Sequence, residues 1–270
     1  MKTVDSIKNE FLDVYAAVHN LTDEDILYGP DDIFRPHLKR INRLAAMDVD
    51  EHVAEKMLCD LEFQAKIKHI SHLKTINGLR MECEYARSII TDPNPWDLIK
   101  HFVFYPNYLQ LARMECRGAN LHSGDRVAFL GCGPLPLSLI SMCKQYGVKG
   151  VGIEQAPEYA TLSEEVIKAL GLTKHIRIVQ GDHFSLPLKE ECRLVMVGAD
   201  AQPKDEIFAH FSDILPKGTR LSYRIYEKGL RRLLDDQSVF EFPPGFKEYA
   251  RIRPEPPVNN TSVFLIKDTV

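Results

Sequence analysis

The chain has 270 residues, 34 Lys plus Arg against 38 Asp plus Glu, and 44% hydrophobic and 27% charged residues. That balance belongs to an ordinary globular protein with one large or two modest cores, and it excludes disordered, collagen-like and coiled-coil chains. A net charge of −4 offers no phosphate-neutralising face, so nucleic acid is not the expected partner.

Residues 1–118 hold 15 basic and 19 acidic side chains and residues 119–270 hold 19 of each, so the first part carries the whole acidic excess. This hints at two parts with different jobs. The opening MKTVDSIKNEFLDVY has no apolar core, and no apolar run approaches the length of a membrane span. The six cysteines are scattered without metal spacing, as suits reduced thiols, and a cytoplasmic protein is expected.

From about residue 5 to 117 the pattern is helical. Ile7, Phe11, Val14, Tyr15 and Val18 recur at helical spacing, and Leu58, Leu61, Phe63 and Ile67 do so less regularly. Breakers cluster at Tyr28–Asp32, Ile76-Asn77-Gly78 and Thr91–Pro95, which predicts a bundle of four or five helices without strands. After Ser123-Gly124-Asp125 come short apolar runs at Val127–Leu130, Val151–Ile153, Ile176–Val179 and Leu194–Val197. Helical stretches at Leu137–Tyr146, Tyr159–Leu170 and Asp205–Leu215 separate them, and extended segments follow at Arg220–Ile225, Phe246–Ile252 and Ser262–Ile266. Such alternation predicts an α/β fold: a Rossmann-like domain with a mostly parallel sheet over 120–270, after a helical domain over 1–119.

The first strand runs into Gly131-Cys132-Gly133-Pro134-Leu135-Pro136, where glycines let a ligand approach the backbone and a helix begins. Two prolines leave few N–H groups for a pyrophosphate, which favours a nucleoside without phosphates over NAD. Glu154 ends the second strand, 23 residues beyond Gly131, where a ribose diol is commonly gripped. Asp182 stands at the end of the third, where an adenine amino group would be read. Singly, each acid reads equally well as a loop acid or helix cap. Together with the glycine loop (Gly131, Gly133, Pro134, Leu135), they resemble an S-adenosylmethionine site.

Residues 79–118 place Glu82 and Glu84 on a helix and Tyr105, Pro106 and Tyr108 across a helix break near Trp96, the chain's only tryptophan. An aromatic with a polar tip is, taken singly, ordinary core. The FYPNYL segment, the GCGPLPL loop, the closing Val258–Val263, Asn-Pro-Trp at 94–96, Ala201-Gln202-Pro203-Lys204 and Tyr223-Arg224 occur in an order that resembles nicotianamine synthases, especially the archaeal ones. The resemblance runs from about residue 60 to 267.

This resemblance implies transfer of the 3-amino-3-carboxypropyl (aminobutanoyl) arm of S-adenosylmethionine, rather than its methyl group, onto an amino-acid amine, with release of 5′-methylthioadenosine. Attack at that carbon demands positioning. Family correspondence makes Glu82 the base and Tyr108 the group orienting the amine; enclosure by apolar helices would raise the Glu82 pKa into a useful range. It implies Tyr105, Arg224 and Asn260 as binders of amino-acid carboxylates. The helical domain would be a lid presenting Glu82 and Tyr108 to Gly131–Leu135. The product would be a nicotianamine-like or opine-type metallophore passed to a further enzyme of such a pathway, and a homodimer remains open. An ordinary methyltransferase, a single-transfer histidine aminobutanoyltransferase and a non-catalytic S-adenosylmethionine sensor are the alternatives.

Other features read as structural. His69 and His72 lie one helical turn apart with no third ligand, so no metal site is expected. Cys132 is a small residue in a tight loop rather than a nucleophile, and Lys228, Arg231 and Arg232 form a solvated face.

Overall fold

The computed structural model describes residues 3–186, 191–227, 229–235 and 245–268. Packing divides the chain into two compact units, Met1–Met81 with Tyr226–Val239, and Glu82–Ile225 with Phe240–Val270. This division differs from a boundary near residue 120, because the helices between Glu82 and Gly118 pack with the sheet.

The first unit is helical. α1 (Val4–Val18) starts where the Thr3 hydroxyl accepts from the Ser6 N–H, and it buries Ile7, Phe11, Val14 and Val18. α2 (Asp23–Tyr28) is opened by a reciprocal Thr22–Asp25 capping box, and α3 (Arg35–Ala45) and α4 (Glu51–Leu58) follow. α5 runs unbroken from Leu61 to Thr91, straight through Asn77-Gly78. A turn dipeptide therefore failed as a breaker: Gly78 sits in open space where its missing Cβ leaves no gap in the core. Leu230, Leu233 and Leu234, from the short 3-10 helix Gly229–Leu234, complete the unit's core. Of the basic cluster expected to be a solvated face, Arg231 is half-buried and donates to the Ala45 carbonyl at 3.1 Å, and Arg232 pairs with Glu51; Lys228 lies outside the described residues. His72 pairs with Asp23 at 2.7 Å, and His69 stands edge-on to Tyr15.

The second unit begins at Glu82 within α5. The Asp92–Asn94 break leads to α6 (Pro95–Lys100), and α7 (Tyr105–Gly118) starts with Pro106 in its first turn. Seven helices thus precede the first strand, rather than four or five, because α2 and α6 are too short to show periodicity. Trp96 donates to the Leu170 carbonyl and carries Lys144 over its ring, a packing role.

The sheet comprises β1 (Arg126–Leu130), β2 (Lys149–Glu154), β3 (Ile176–Gln180), β4 (Leu194–Val197), β5 (Arg220–Ile225), β6 (Phe246–Ile252) and β7 (Thr261–Lys267). Its order is β3-β2-β1-β4-β5-β7-β6, with only β7 running against its neighbours. The connecting helices are α8 (Leu137–Tyr146), α9 (Pro157–Ala169) and α10 (Lys204–Ile214). Strand order reverses between β1 and β4, and ligands of open α/β sheets bind outside the carboxyl ends of the strands at such a switch point. Leu130 pairs with Ile153 on one side and Val197 on the other, so β1, β2 and β4 end level.

Candidate active site

Three chain segments meet at that level. The first is the loop after β1. Gly131 and Gly133 take φ of +73° and +70°, a left-handed backbone that glycine adopts freely. The N–H groups of Gly131 and Cys132 both donate to the Ile153 carbonyl, and that of Gly133 donates to Glu154 Oε2 at 3.0 Å. With Pro134 and Pro136 lacking N–H groups, little remains to cradle a pyrophosphate. Pro134 and Leu135 are buried beneath the loop and shape it. Cys132 is also buried, against Ser163 and Gly152, and burial pushes its thiol up to about 12.

The second is the end of β2. Glu154 is buried, and its other oxygen, Oε1, accepts from the Ala156 N–H at 3.0 Å. Each carboxylate oxygen is thereby held by one backbone N–H and keeps a lone pair for a further donor. Asp182, after β3, caps the 3-10 turn His183–Ser185 by accepting from the Phe184 N–H at 2.9 Å; its second oxygen is outside that bond.

The third is the turn Gly198–Ala201 after β4, which the sequence reading touched only at Ala201, as part of the resemblance, and gave no role in the site. The Gly198 N–H donates to the Leu130 carbonyl at 2.8 Å, and a Cβ at Gly198 would lie 2.7 Å from the Gly131 oxygen. A Gly198→Ala substitution should therefore force the two loops apart, costing about 1–3 kcal/mol as overpacking does. A melting temperature within a degree of wild type would show that the turn yields without strain.

Glu82 and Tyr108 come together over this floor. Tyr108 Oη donates to Glu82 Oε1 at 3.2 Å, and a Cβ on Gly133 would lie 3.1 Å from Glu82 Oε2. The Glu82 residue is half-buried but its carboxyl is enclosed. Desolvation, then the charge of Asp200, push it up to about 8; the Tyr108 hydrogen bond acts against them and the Glu154 charge adds to them. Burial and the neighbouring Glu82 charge hold the Tyr108 phenol well above its ordinary value, so it stays neutral. The Tyr108 ring packs with Leu111, Met114 and Val258.

The remaining expected residues fall around this pair in different ways. Tyr105 is half-buried in the first turn of α7. Asn260 stands just before β7; because β7 runs antiparallel to β5, Thr261 pairs with Ile225 and Asn260 arrives at the carboxyl end of β5. Arg224 is already engaged: its Nε donates to Glu115 Oε1 at 3.2 Å and an Nη to Ser138 Oγ at 3.2 Å, and Glu115 also accepts from Ser262. That buried pair ties α7 to β5 and removes part of the guanidinium fork expected for a substrate carboxylate. Among the described residues, three or more His, Cys, Asp or Glu do not cluster as metal ligands, and no helix is long and apolar enough to cross a membrane.

A doubly wound, mostly parallel sheet with one reversed strand, a glycine loop after β1 and an acid ending β2 define a Rossmann-like domain of the type used by S-adenosylmethionine-dependent transferases. The family model "Nicotianamine synthase protein" matches residues 1–270. The chain belongs to the nicotianamine synthase family. It is similar to nicotianamine synthase 1 of Hordeum vulgare, 27% identical over 159 residues, covering 54% of this chain and 48% of that one. It is also similar to the L-histidine 2-aminobutanoyltransferase of Yersinia pestis, 18% identical over 200 residues and covering 73% and 72%. The solved structure of a glutamate-to-glutamine mutant of MtNAS in complex with S-adenosylmethionine is 29% identical, with a TM-score of 0.84 over 97% of this chain and 98% of that. MtNAS in complex with MTA and tNA superposes with a TM-score of 0.83. The chain spans between 48% and 60% of the length of the first Hordeum vulgare relatives.

Proposed function

We propose that this protein transfers the aminobutanoyl arm of S-adenosylmethionine onto an amino-acid amine, releasing 5′-methylthioadenosine, in making a nicotianamine-like or opine-type metallophore. The observation that carries this reading is the enclosed Glu82–Tyr108 pair, a base and an orienting phenol beside Gly133.

The residues present fit the donor. Gly131 and Gly133 keep the end of β1 free of side chains, Glu154 retains lone pairs for a ribose diol, and Asp182 retains an oxygen for an adenine amino group. S-adenosylmethionine supplies a sulfonium-activated carbon and a thioether leaving group. Because the Tyr108 O–H is committed to Glu82, its lone pairs are left to accept an amine N–H and aim the nitrogen. Glu82, when ionised, takes the proton that the amine must lose. Both groups act from a half-enclosed floor that limits water at the reacting atoms. Tyr105 and Asn260 are proposed to hold substrate carboxylates, with Arg224 contributing only the part of its fork left free by Glu115 and Ser138.

Incubation with S-adenosylmethionine and each candidate amino acid, followed by mass analysis, tests the reading. Methylthioadenosine supports it, whereas S-adenosylhomocysteine would replace it with methyl transfer. Product masses with histidine, glutamate or no added acceptor separate a single transfer from a chain of transfers. At the ribose, Glu154→Gln should weaken S-adenosylmethionine binding about tenfold, since one oxygen acceptor becomes a donor and bonds to charged groups contribute about 1.5–3 kcal/mol. Unchanged affinity by calorimetry would remove Glu154 from the ribose.

A further inference from the structure

Arg224 carries five N–H groups, and the fold engages only two of them. Its Nε donates to Glu115 Oε1 and its Nη2 to Ser138 Oγ, each at 3.2 Å, while Nη1 has no partner among the described residues. The side chain is only 10% exposed. Nη1 is nevertheless not sealed in, because the buried side-chain atoms without a partner belong to His37, His69, Glu115, Ser141 and Ser222. A guanidinium gripped on one side and open on the other is suited to meet an anion.

The grip lies at the level of the site. β4 and β5 pair Met196 with Ser222, so Arg224, two residues further on, is level with Gly198, the glycine that closes against Gly131. Ser138 stands in the first turn of α8, directly after the glycine loop. Glu115 follows Tyr108 on α7 by seven residues, two helical turns, and so shares its face. The nucleoside end of the donor is proposed to lie over β2 and β3, at Glu154 and Asp182. In the sheet order, β5 is on the other side of β1, where the donor's arm and the acceptor are left to be held. Glu115 itself is 1% exposed; its Oε1 accepts from Arg224 and Ser262, and its Oε2 is buried without a donor. Desolvation of such a pair offsets most of its attraction, so it is a poor source of stability. What it supplies is direction, because a carboxylate fixed between α7 and β7 sets the plane of the guanidinium.

We propose that Glu115 is a positioning residue: by holding Nε it turns the open Nη1 end of Arg224 into a socket for one substrate carboxylate, that of the aminobutanoyl arm or that of the acceptor. The proposal rests on Arg224 meeting substrate, but not on Glu82 being the base.

Two measurements without turnover test it. The first is nitrogen NMR of arginine-labelled protein, with the Arg224 signals assigned by their loss in Arg224→Gln. A held guanidinium shows separate Nη signals. Glu115→Leu should average them, and Glu115→Gln, which still offers a carbonyl to Nε, should keep them apart. The second is calorimetry with ligand pairs that differ by one carboxylate: S-adenosylmethionine against its decarboxylated form and, on protein loaded with methylthioadenosine, histidine against histamine and glutamate against 4-aminobutanoate. At least one pair should favour the carboxylate by about tenfold or more in wild type, the effect of hydrogen bonds to a charged group. That preference should shrink severalfold in Glu115→Leu and survive in Glu115→Gln. A response in the donor pair places the arm's carboxylate at Arg224, and a response in an amino-acid pair places the acceptor's there. Should Glu115→Leu fail to fold, Ser138→Ala removes the second hold and should move both readouts the same way. A lower melting temperature in Glu115→Leu with unchanged preferences would leave Glu115 a structural role and overturn the proposal, as would separate Nη signals that persist without Glu115. A preference absent from every pair in wild type, or unaltered in Arg224→Gln, would remove Arg224 from substrate binding and overturn the proposal together with the reading it rests on. Failure of the base reading shows elsewhere, as undiminished turnover in Glu82→Gln.

Discussion

Glu82→Gln should lower the single-turnover rate of methylthioadenosine formation by roughly 10²–10⁴-fold, the usual contribution of a positioned general base. Gln keeps the shape and still accepts from Tyr108 through its carbonyl, but it cannot take the amine proton. Affinity for S-adenosylmethionine should change little, since the proposed ribose and adenine contacts are made by Glu154 and Asp182. The pH profile sharpens the test. A Glu82 carboxyl pushed up to about 8 is ionised in about a tenth of molecules at pH 7 and in half at pH 8. The wild-type rate should therefore climb close to tenfold from pH 7 to 9, beyond the gain from deprotonating free amine. The Gln variant should keep only that second gain, so alkaline pH rescues it in part. Tyr108→Phe should lose less, because aiming the amine does not consume the proton. Equal rates for wild type and Glu82→Gln would leave Glu84 or a bound water as the next candidate base.

The same substitution should make the protein more stable, and the pH sets by how much. In the unfolded chain Glu82 ionises near 4.5, and in the folded protein near 8. Between these values the folded state keeps a proton that the unfolded state has released. The stability that Glu82 contributes is therefore full below about pH 4.5 and is lost as pH rises through 8. Gln carries no such loss. The shift from 4.5 to about 8 converts to a ceiling of about 5 kcal/mol at 1.36 kcal/mol per pH unit. Water entering around the ionised carboxylate should reduce this to about half. Melting curves at pH 5 and pH 8.5 should show the two proteins close together at the lower pH and the Gln variant several degrees higher at the upper. A gap that does not widen with pH would mean that the carboxyl is hydrated in the folded state. The combination of greater stability and lost turnover is the trade expected of an active-site acid held in an unfavourable environment.

Much of this arrangement was legible in the chain itself. Parallel strands covered on both faces read as nearly unbroken apolar runs, which is why β1, β2 and β4 stood out, whereas the edge strand β3 alternates, with Arg177 exposed between Ile176 and Ile178. Once β1 and β2 are located, the glycine loop and Glu154 follow, because both sit at the carboxyl ends of located strands. Local rules misled at Asn77-Gly78, where the packing of a long helix overrode a turn signal, and at α2 and α6, where a turn and a half shows no period. What the sequence by itself could not determine is everything that depends on strand order. The charge of Asp200 bears on Glu82 because β4 lies beside β1, not because of any spacing between them. Arg224 meets Glu115, 109 residues away, because α7 docks where β5 ends, and this takes up part of a guanidinium that the sequence alone leaves free for substrate. Asn260 reaches the same edge only because β7 is reversed. Lys204 reads as an ordinary helix-start lysine until the fold buries its ammonium against the Ala199 and Ala201 carbonyls. Propensity and periodicity act over a few residues, whereas desolvation and Coulomb forces act across space. The tertiary structure alone therefore decided which carboxylates face one another and which of them would hold a proton at neutral pH.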